Sequence, residues 1–418
     1  MIVFMAIGAP IYLSILLSSL ATLLMTGMKA QAIIQRLYAA NDSFPLLAIP
    51  FFFLAGELML QGGIAKRIVD FCKMLLGGLK GSLAIISFVA CAFFGAISGS
   101  SYATTASIGK LMYPEMCKDG YRPSFAATVQ AVGGTLGVLI PPSILCVLYG
   151  VATGESVGDM LLYIVPVGIL TTLCYIITAL IVIGKKHNPA YVPVQTGAQE
   201  ERLSAKKFIS TTLDAFWALL TPVIILGGIY SGVFTPTECA VVATVYAWLV
   251  GTLIYKELPM KTALKAICDA IIGSACIIMI VDAANVFSWL LTVNRVATAV
   301  ATAVQSTISN PYTFLLLVNI VYLVAGMFLE GSVTITIIVP LLYPIAVMYG
   351  VNGIHFGLIT ILNCILGTLT PPFGGALFVT NTVTRVPVAS ILKEVIPFLI
   401  GGFALCLLVT YVPLIWLM

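Results

Sequence analysis

The chain has 418 residues, 60% of them hydrophobic and only 9% charged, with a formal net charge of +4. A soluble domain carries about 25% charged residues, so this composition excludes a soluble globular protein, and the thin spread of charge offers no face for nucleic acid. Apolar runs such as 161–183 and 395–418 are long enough to cross a ~30 Å hydrocarbon core as helices, which predicts an all-α polytopic protein embedded in a lipid bilayer.

Met1 opens an apolar run with no basic segment and no small-residue cleavage site, so no signal peptide is expected. Residues 64–80 carry Lys66, Arg67, Lys73 and Lys80 around an apolar face and read as an interfacial helix. The stretch AISGSSYATTAS, 96–107, is rich in serine and threonine. Its arms, 83–97 and 108–116, are short for two full spans. A re-entrant hairpin over about 83–116 fits better, with its tip at Gly99–Thr104. Next comes GVLIPPSIL, 137–145, whose double proline breaks a helix over about 123–150. The polar segment 185–210 reads as a cytoplasmic linker between halves. Beyond it, FTPTE opens a helix with Glu238 complementing the dipole, and 293–305 reads as a second interfacial helix. A second hairpin is expected over about 312–346, with its tip at 329–336. GTLTPPFGG, 367–375, then breaks a helix over about 354–384.

The two double prolines are 230 residues apart, and the same offset carries Tyr113-Pro114 onto Tyr343-Pro344, Gly120 onto Gly350, Gly137 onto Gly367 and Thr104 onto Thr334. Two repeats are therefore predicted, 1–184 and 211–418. Residues 110–122 hold Lys110, Lys118 and Arg122, while the matching 340–352 holds no charge. Basic residues stay on the cytoplasmic side, so the repeats are expected to be inverted. Lys185, Lys186, Arg202, Lys206 and Lys207 place the linker in the cytoplasm by the same rule.

Inverted repeats with Pro-interrupted helices at matching positions mark a secondary transporter. Each proline lacks an N–H and disfavours helical geometry in the residue before it. The freed carbonyls must be satisfied within the membrane, and a bound sodium ion would do so, because hard cations take oxygen ligands. Glu57, Glu238, Asp282, Asn285, Glu330, Asn363, Asn381 and Arg385 are further intramembrane candidates. The ten scattered cysteines form no CxxC pair and read as small buried hydrophobes. His187 and His355 have no partner at metal or nucleophile spacing. The absence of a GxxxxGK[ST] loop excludes an ATP-driven pump, and the checklist for an intramembrane enzyme finds no catalytic constellation.

The motifs FGAISGSSYATTASIG, MYPEM, LGVLIPPSI, GGIYSGVFTPTECAVVA and GTLTPPFGG, in this order, resemble the large membrane subunit of the tripartite ATP-independent periplasmic (TRAP) transporters over nearly the whole chain. The wording GAISGSS and LIPPS is closer to subunits of the C4-dicarboxylate type, and Thr104, where sialic-acid members tend to carry an acid, weakens a sialic-acid reading. The resemblance implies a scaffold and a mobile transport domain moving as an elevator, with two sodium sites between hairpins and broken helices. The first would lie near Ser98, Ser100, Gly137, Ile140 and Pro142, and the second near Gly326, Gly367, Thr370 and Phe373. It implies an organic-acid substrate between the tips, near Ser100, Ser101, Thr104, Ser332 and Thr334. It also implies two partners, a small four-helix membrane subunit and a periplasmic substrate-binding protein. The first helix is expected to be short, since family members carry a longer apolar run before a motif like Gly8-Ala9-Pro10. The competing reading is a self-sufficient sodium/dicarboxylate or sodium/proton transporter of similar architecture.

Overall fold

The structure, a computed structural model, describes residues 3–4, 8–27, 31–77, 81–184, 191, 205–372 and 374–417, with the side chains of 205–208 and 414–417 left aside. Most of 185–210, together with Lys80 and Phe373, lies outside the described residues. Among the described residues the chain is helical apart from short connections and one isolated bridge, Tyr121 to Tyr191. Eight helical stretches among the described residues are long and apolar enough to cross a membrane. This follows from the solvent, because in lipid only a helix satisfies every backbone group within its own segment.

The first half runs α1 (Ile11–Met25), α2 (Gln31–Ala40), α3 (Ala48–Gln61), α4 (Ile64–Leu76), α5 (Ser82–Ser98), α6 (Ser101–Lys118), α7 (Pro123–Thr135), α8 (Ile144–Thr153) and α9 (Val157–Ile183). The second runs α10 (Ala205–Tyr230), α11 (Pro236–Leu249), α12 (Met260–Val293), α13 (Val296–Thr307), α14 (Pro311–Phe328), α15 (Gly331–Met348), α16 (Gly353–Thr368), α17 (Gly375–Thr384) and α18 (Val388–Leu417). Helix starts obey local chemistry. Pro123, Pro236 and Pro311 sit in first turns, where a missing N–H is harmless. Glu238 closes a capping box, its carboxylate accepting from the Thr235 amide at 2.8 Å while the Thr235 hydroxyl accepts from the Glu238 amide at 3.3 Å. That assigns Glu238 a structural role.

The helices pack as two groups. In one, α3 lies against α11 and α12, and α12 covers α1 and α2. In the other, α5 and α6 pack on α7, α14 packs on α16, and α18 crosses α7, α9 and α16. An aromatic cluster of Phe88, Phe125, Tyr175 and Phe398 ties α5, α7, α9 and α18 together with ring centroids 6.0–6.3 Å apart. The segments after the prolines cross over, α8 packing on α15 and α17 on α6. The amphipathic α4 bridges the groups. At its start Arg67 reaches Glu257 at 2.9 Å and Asp214 at 3.3 Å and lies over the Tyr255 ring. Near its end Lys73 pairs with Glu115 of α6 at 2.5 Å.

Candidate functional site

Both hairpin turns are only two residues long. Gly99 takes the left-handed conformation, φ 62°, and Ser100 is extended and caps α6, its hydroxyl accepting from the Ala103 amide at 3.4 Å. In the second hairpin Leu329 and Glu330 are extended, and the Glu330 side chain caps α15 by accepting from the Ser332 amide at 3.2 Å and from the Ser332 hydroxyl. Helix therefore resumes earlier than the tips 99–104 and 329–336 implied, and Thr104 and Thr334 sit inside the first turns of α6 and α15.

The helix breaks follow from two missing amides in each. Continued helix would aim the amides of residues 141 and 142 at the carbonyls of Gly137 and Val138, and proline has none. The Ser143 hydroxyl donates to Val138 O at 2.7 Å and also caps α8. Gly137 O is left without its helical donor. In the second half Pro371 and Pro372 do the same to Gly367 and Thr368, and the Thr370 amide turns back to Gly367 O at 2.9 Å. Both Pro–Pro bonds are cis.

Each break lies against a hairpin at glycine contacts. A Cβ on Gly95 would stand 2.7 Å from the Gly137 Cα, one on Gly137 2.6 Å from Ser100 O, and one on Gly99 2.8 Å from Pro142 O. Ser98, Ser100, Gly137 and Pro142 thus form one neighbourhood. Within it the Ser98 and Thr104 hydroxyls are 3.0 Å apart, and Thr104 Oγ1 donates to Ser100 O at 2.8 Å. Ile140 turns its side chain onto α9 at Gly168, so only its backbone faces the break. In the second half Gly326 meets Gly367, with a built Cβ only 2.9 Å from the Gly367 Cα. The buried Thr370 hydroxyl donates to Leu366 O at 2.7 Å, which leaves its lone pairs available. Both neighbourhoods present hydroxyl and carbonyl oxygens, the donor set that suits a hard monovalent cation.

Between the two hairpins lies a cavity of about 460 Å³. Ser100, Ser101, Tyr102, Glu330 and Ser332 line it from the tips. Phe53 and Glu57 of α3 and Gly273, Cys276, Ile277 and Ile280 of α12 close the opposite wall. Thr104 and Thr334 are fully buried behind this lining, bonded back to Ser100 O and to Glu330 O at 3.1 Å. They brace the tips without facing the cavity. Helices α6, α8 and α15 all begin at its wall, with Ser101, Ile144 and Gly331 in the lining. Helix N-termini carry partial positive charge and free amides. The Tyr102 ring reaches across to α17, where a Cβ on Gly375 would stand 2.5 Å from its hydroxyl.

Of the other polar candidates, Asn363 is buried and donates to Asn319 Oδ1 at 2.6 Å, and Asn381 donates to Val386 O at 2.7 Å. Both therefore serve the fold. Asp282 and Asn285 line separate, smaller recesses. The wall from α3 and α12 was not legible in the sequence beyond Glu57, since Phe53 and Gly273 look like any other residue of an apolar helix.

Two hairpins and two interrupted helices closing on one cavity inside a multi-pass helical protein define a membrane permease. The family profile described as "Tripartite ATP-independent periplasmic transporter, DctM component" matches residues 1–415. The chain belongs to that family, and it is a transporter subunit of the bacterial inner membrane, not an enzyme. It is 38% identical to the C4-dicarboxylate TRAP transporter large permease protein DctM of Pseudomonas aeruginosa, over 94% of this chain and 90% of that one. It is 35% identical to the isethionate TRAP transporter permease protein DctMQ of Oleidesulfovibrio alaskensis, over 99% of this chain and 64% of that one. Among solved structures the YdaH transporter of Alcanivorax borkumensis shares the fold, with TM-score 0.62 at 13% identity over 90% of this chain and 86% of that one.

Proposed function

We propose that this chain is the transport subunit of a sodium-coupled importer of an organic acid, a C4-dicarboxylate or similar carboxylate. It works with a periplasmic binding protein that delivers the solute and a small four-helix membrane subunit that braces the scaffold. The observation that carries this reading is the polarity of the cavity. Three helix N-termini reach it, those of α6 and α8 capped by serine hydroxyls and so able to favour an anion, while unwound carbonyls and hydroxyls collect behind the tips, where a cation is favoured.

Sodium would be held in the first half by oxygens of Ser98, Ser100, Gly137, Ile140 and Pro142, and in the second by Gly326, Gly367 and Thr370. When bound it supplies positive charge beside the tips and so couples anion affinity to the sodium gradient. The tips orient the solute through Ser100, Ser101 and Ser332, and Thr104 and Thr334 hold those tips in shape. The halves 1–184 and 211–418 act as inverted repeats around this site. The group containing the hairpins moves past the group containing α3 and α12 as an elevator, with α4 as a connecting arm. The location of the cavity on the seam between the two groups supports that motion.

The test is uptake into proteoliposomes carrying the reconstituted complex. Sodium-dependent uptake without ATP is expected, and none by this polypeptide alone. Full-rate uptake in potassium only would end the sodium reading. Robust uptake without partners would point instead to a self-sufficient transporter.

A further inference from the structure

The 230-residue offset pairs Tyr102 with Ser332 and Leu145 with Gly375. These positions sit where each hairpin meets the helix that follows the other half's break. At the first crossing the large side chain is on the hairpin. Tyr102, second residue of α6, reaches the first residue of α17, and a Cβ built on Gly375 would stand 2.5 Å from the tyrosine hydroxyl and 3.3 Å from Cζ. At the second crossing the large side chain is on the other partner. Leu145 of α8 reaches the start of α15, 3.1 Å from a Cβ built on Gly331 and one residue before the small Ser332. Each crossing thus seats a large residue on a small one, with the sizes exchanged between the halves. Tyr102, Leu145, Gly331 and Ser332 all line the cavity, whereas Gly375 is not part of its lining. Helices α6 and α17 stay in contact further along, where Val383 is 3.4 Å from a Cβ built on Gly109. Just before α17 the chain folds back onto the second break. Gly374 is left-handed, φ 48°, and a Cβ there would stand 3.3 Å from Thr368 O, the carbonyl whose helical donor Pro372 removes.

We propose that Tyr102 is the positioning residue that links solute in the cavity to sodium at the second break. This rests on the sodium-coupled reading above and names the contact that carries the coupling. The tyrosine side chain borders the cavity, and its outer end meets Gly375. A solute filling the cavity restrains the ring against α17. That holds Gly374 on Thr368 and keeps the carbonyls of the break, Gly367 to Thr370, in their ion-binding arrangement. Sodium at the break fixes the start of α17 and, through Gly375, fixes the ring in the cavity wall. The effect runs both ways, as a coupling between two binding equilibria must. Because the ring comes from the first half and the break from the second, the crossing makes one site out of two halves. Glycine at 375 follows from this role, since a side chain there would push the ring into the cavity or α17 away from α6.

The experiment titrates sodium into the full chain in lipid nanodiscs, with choline as the balancing cation, in the absence and presence of saturating succinate as the probe. The readout is the ratio of the two apparent sodium constants, which is independent of how tightly each variant holds succinate. In the wild type succinate should tighten sodium at least about fivefold. Tyr102→Ser should bring the ratio to within about twofold of one. Gly375→Ala should lower it as well, although no side chain of the cavity lining is altered, because the new methyl displaces the ring. The double variant Tyr102→Ser with Gly375→Leu copies the Ser332 and Leu145 arrangement of the other crossing, and it should restore the ratio to about fivefold. A merely structural role for the ring would lower stability without moving this ratio. Wild-type ratios in both single variants would overturn the proposal and leave the sodium-coupled reading intact. Where Tyr102→Ser fails to fold, a wild-type ratio in Gly375→Ala overturns it alone. A double variant that binds both ligands without recovering the ratio would also overturn it, since the packing contact would then not be what couples them. A wild-type sodium constant unmoved by succinate would strike at the sodium-coupled organic-acid reading itself, and the proposal would fall with it.

Discussion

Gly367, at the break of α16, rests its backbone on Gly326 of the hairpin arm α14, and a Cβ placed on Gly367 would stand 2.5 Å from the Gly326 Cα. Backbones meet this closely only where neither residue has a side chain, the way membrane helices gain contact in a solvent that supplies no hydrophobic drive. Gly367→Ala must push the hairpin off the broken helix. The expected result is a loss of about 1–3 kcal/mol of stability together with a weakened sodium response. Gly227→Ala in α10, with nothing within 4 Å, serves as the control and should be silent in both. Thermal unfolding with and without sodium reads the difference, and equal behaviour of the two variants would refute the close-contact account.

Thr370 separates a hydroxyl role from a carbonyl role. Thr370→Val keeps the shape and the carbonyl and removes Oγ1, which now donates to Leu366 O at 2.7 Å. If that oxygen also ligates sodium, the apparent sodium affinity should fall roughly five- to thirty-fold, the effect of about 1–2 kcal/mol for one unreplaced partner. Uptake is measured against sodium concentration in the reconstituted complex. An unchanged curve would take the hydroxyl out of the site and leave a backbone role.

The second broken helix is tied to its hairpin by a buried amide pair. Asn363 Nδ2 donates to Asn319 Oδ1 at 2.6 Å, and Cys406 Sγ and Thr410 Oγ1 approach the same oxygen from α18 at 3.3 and 3.4 Å. Removing one amide takes the short direct partner from the other, which keeps only its contacts within its own helix and, for Asn319, those to α18. Asn363→Leu and Asn319→Leu should each cost about 1–2 kcal/mol, and the double variant should cost clearly less than their sum. Unfolding titrations in mixed micelles supply the cycle, and strict additivity would show that the pair is not coupled.

Lys118 closes α6 and Gly350 follows α15, so these two positions end the second arms of the two hairpins. Under the proposed inversion of the two halves they lie on opposite faces of the membrane. Single cysteines introduced there should react with an impermeant reagent from opposite sides of oriented vesicles, and same-side labelling would remove the inversion.

The class of protein and its main devices were written in local sequence. Membrane helices are legible because lipid demands a long apolar run wherever the chain crosses. The helix breaks are legible because Pro141-Pro142 and Pro371-Pro372 cancel amides whatever surrounds them. The serine-rich tip at Ser98–Ser101 stands out because polar residues at membrane depth need partners. What the sequence left undecided was direction. Thr104 shares a motif with Ser100 and Ser101, and Thr334 one with Ser332, yet helical rotation turns both threonines inward to brace the tips. Phe53, Gly273 and Ile277 form a wall of the cavity, but lipid and protein interior are equally apolar, so no pattern marks which face of α3 or α12 meets the solute. The Tyr102 approach to Gly375 and the Asn319–Asn363 pair join residues far apart in the chain. Only the crossing of α17 over α6, and the packing of α14 on α16, brings them together. The same packing brought Ser100 and Glu330, 230 residues apart in the chain, into the lining of one cavity, because the two hairpin tips meet there only once the helices have packed.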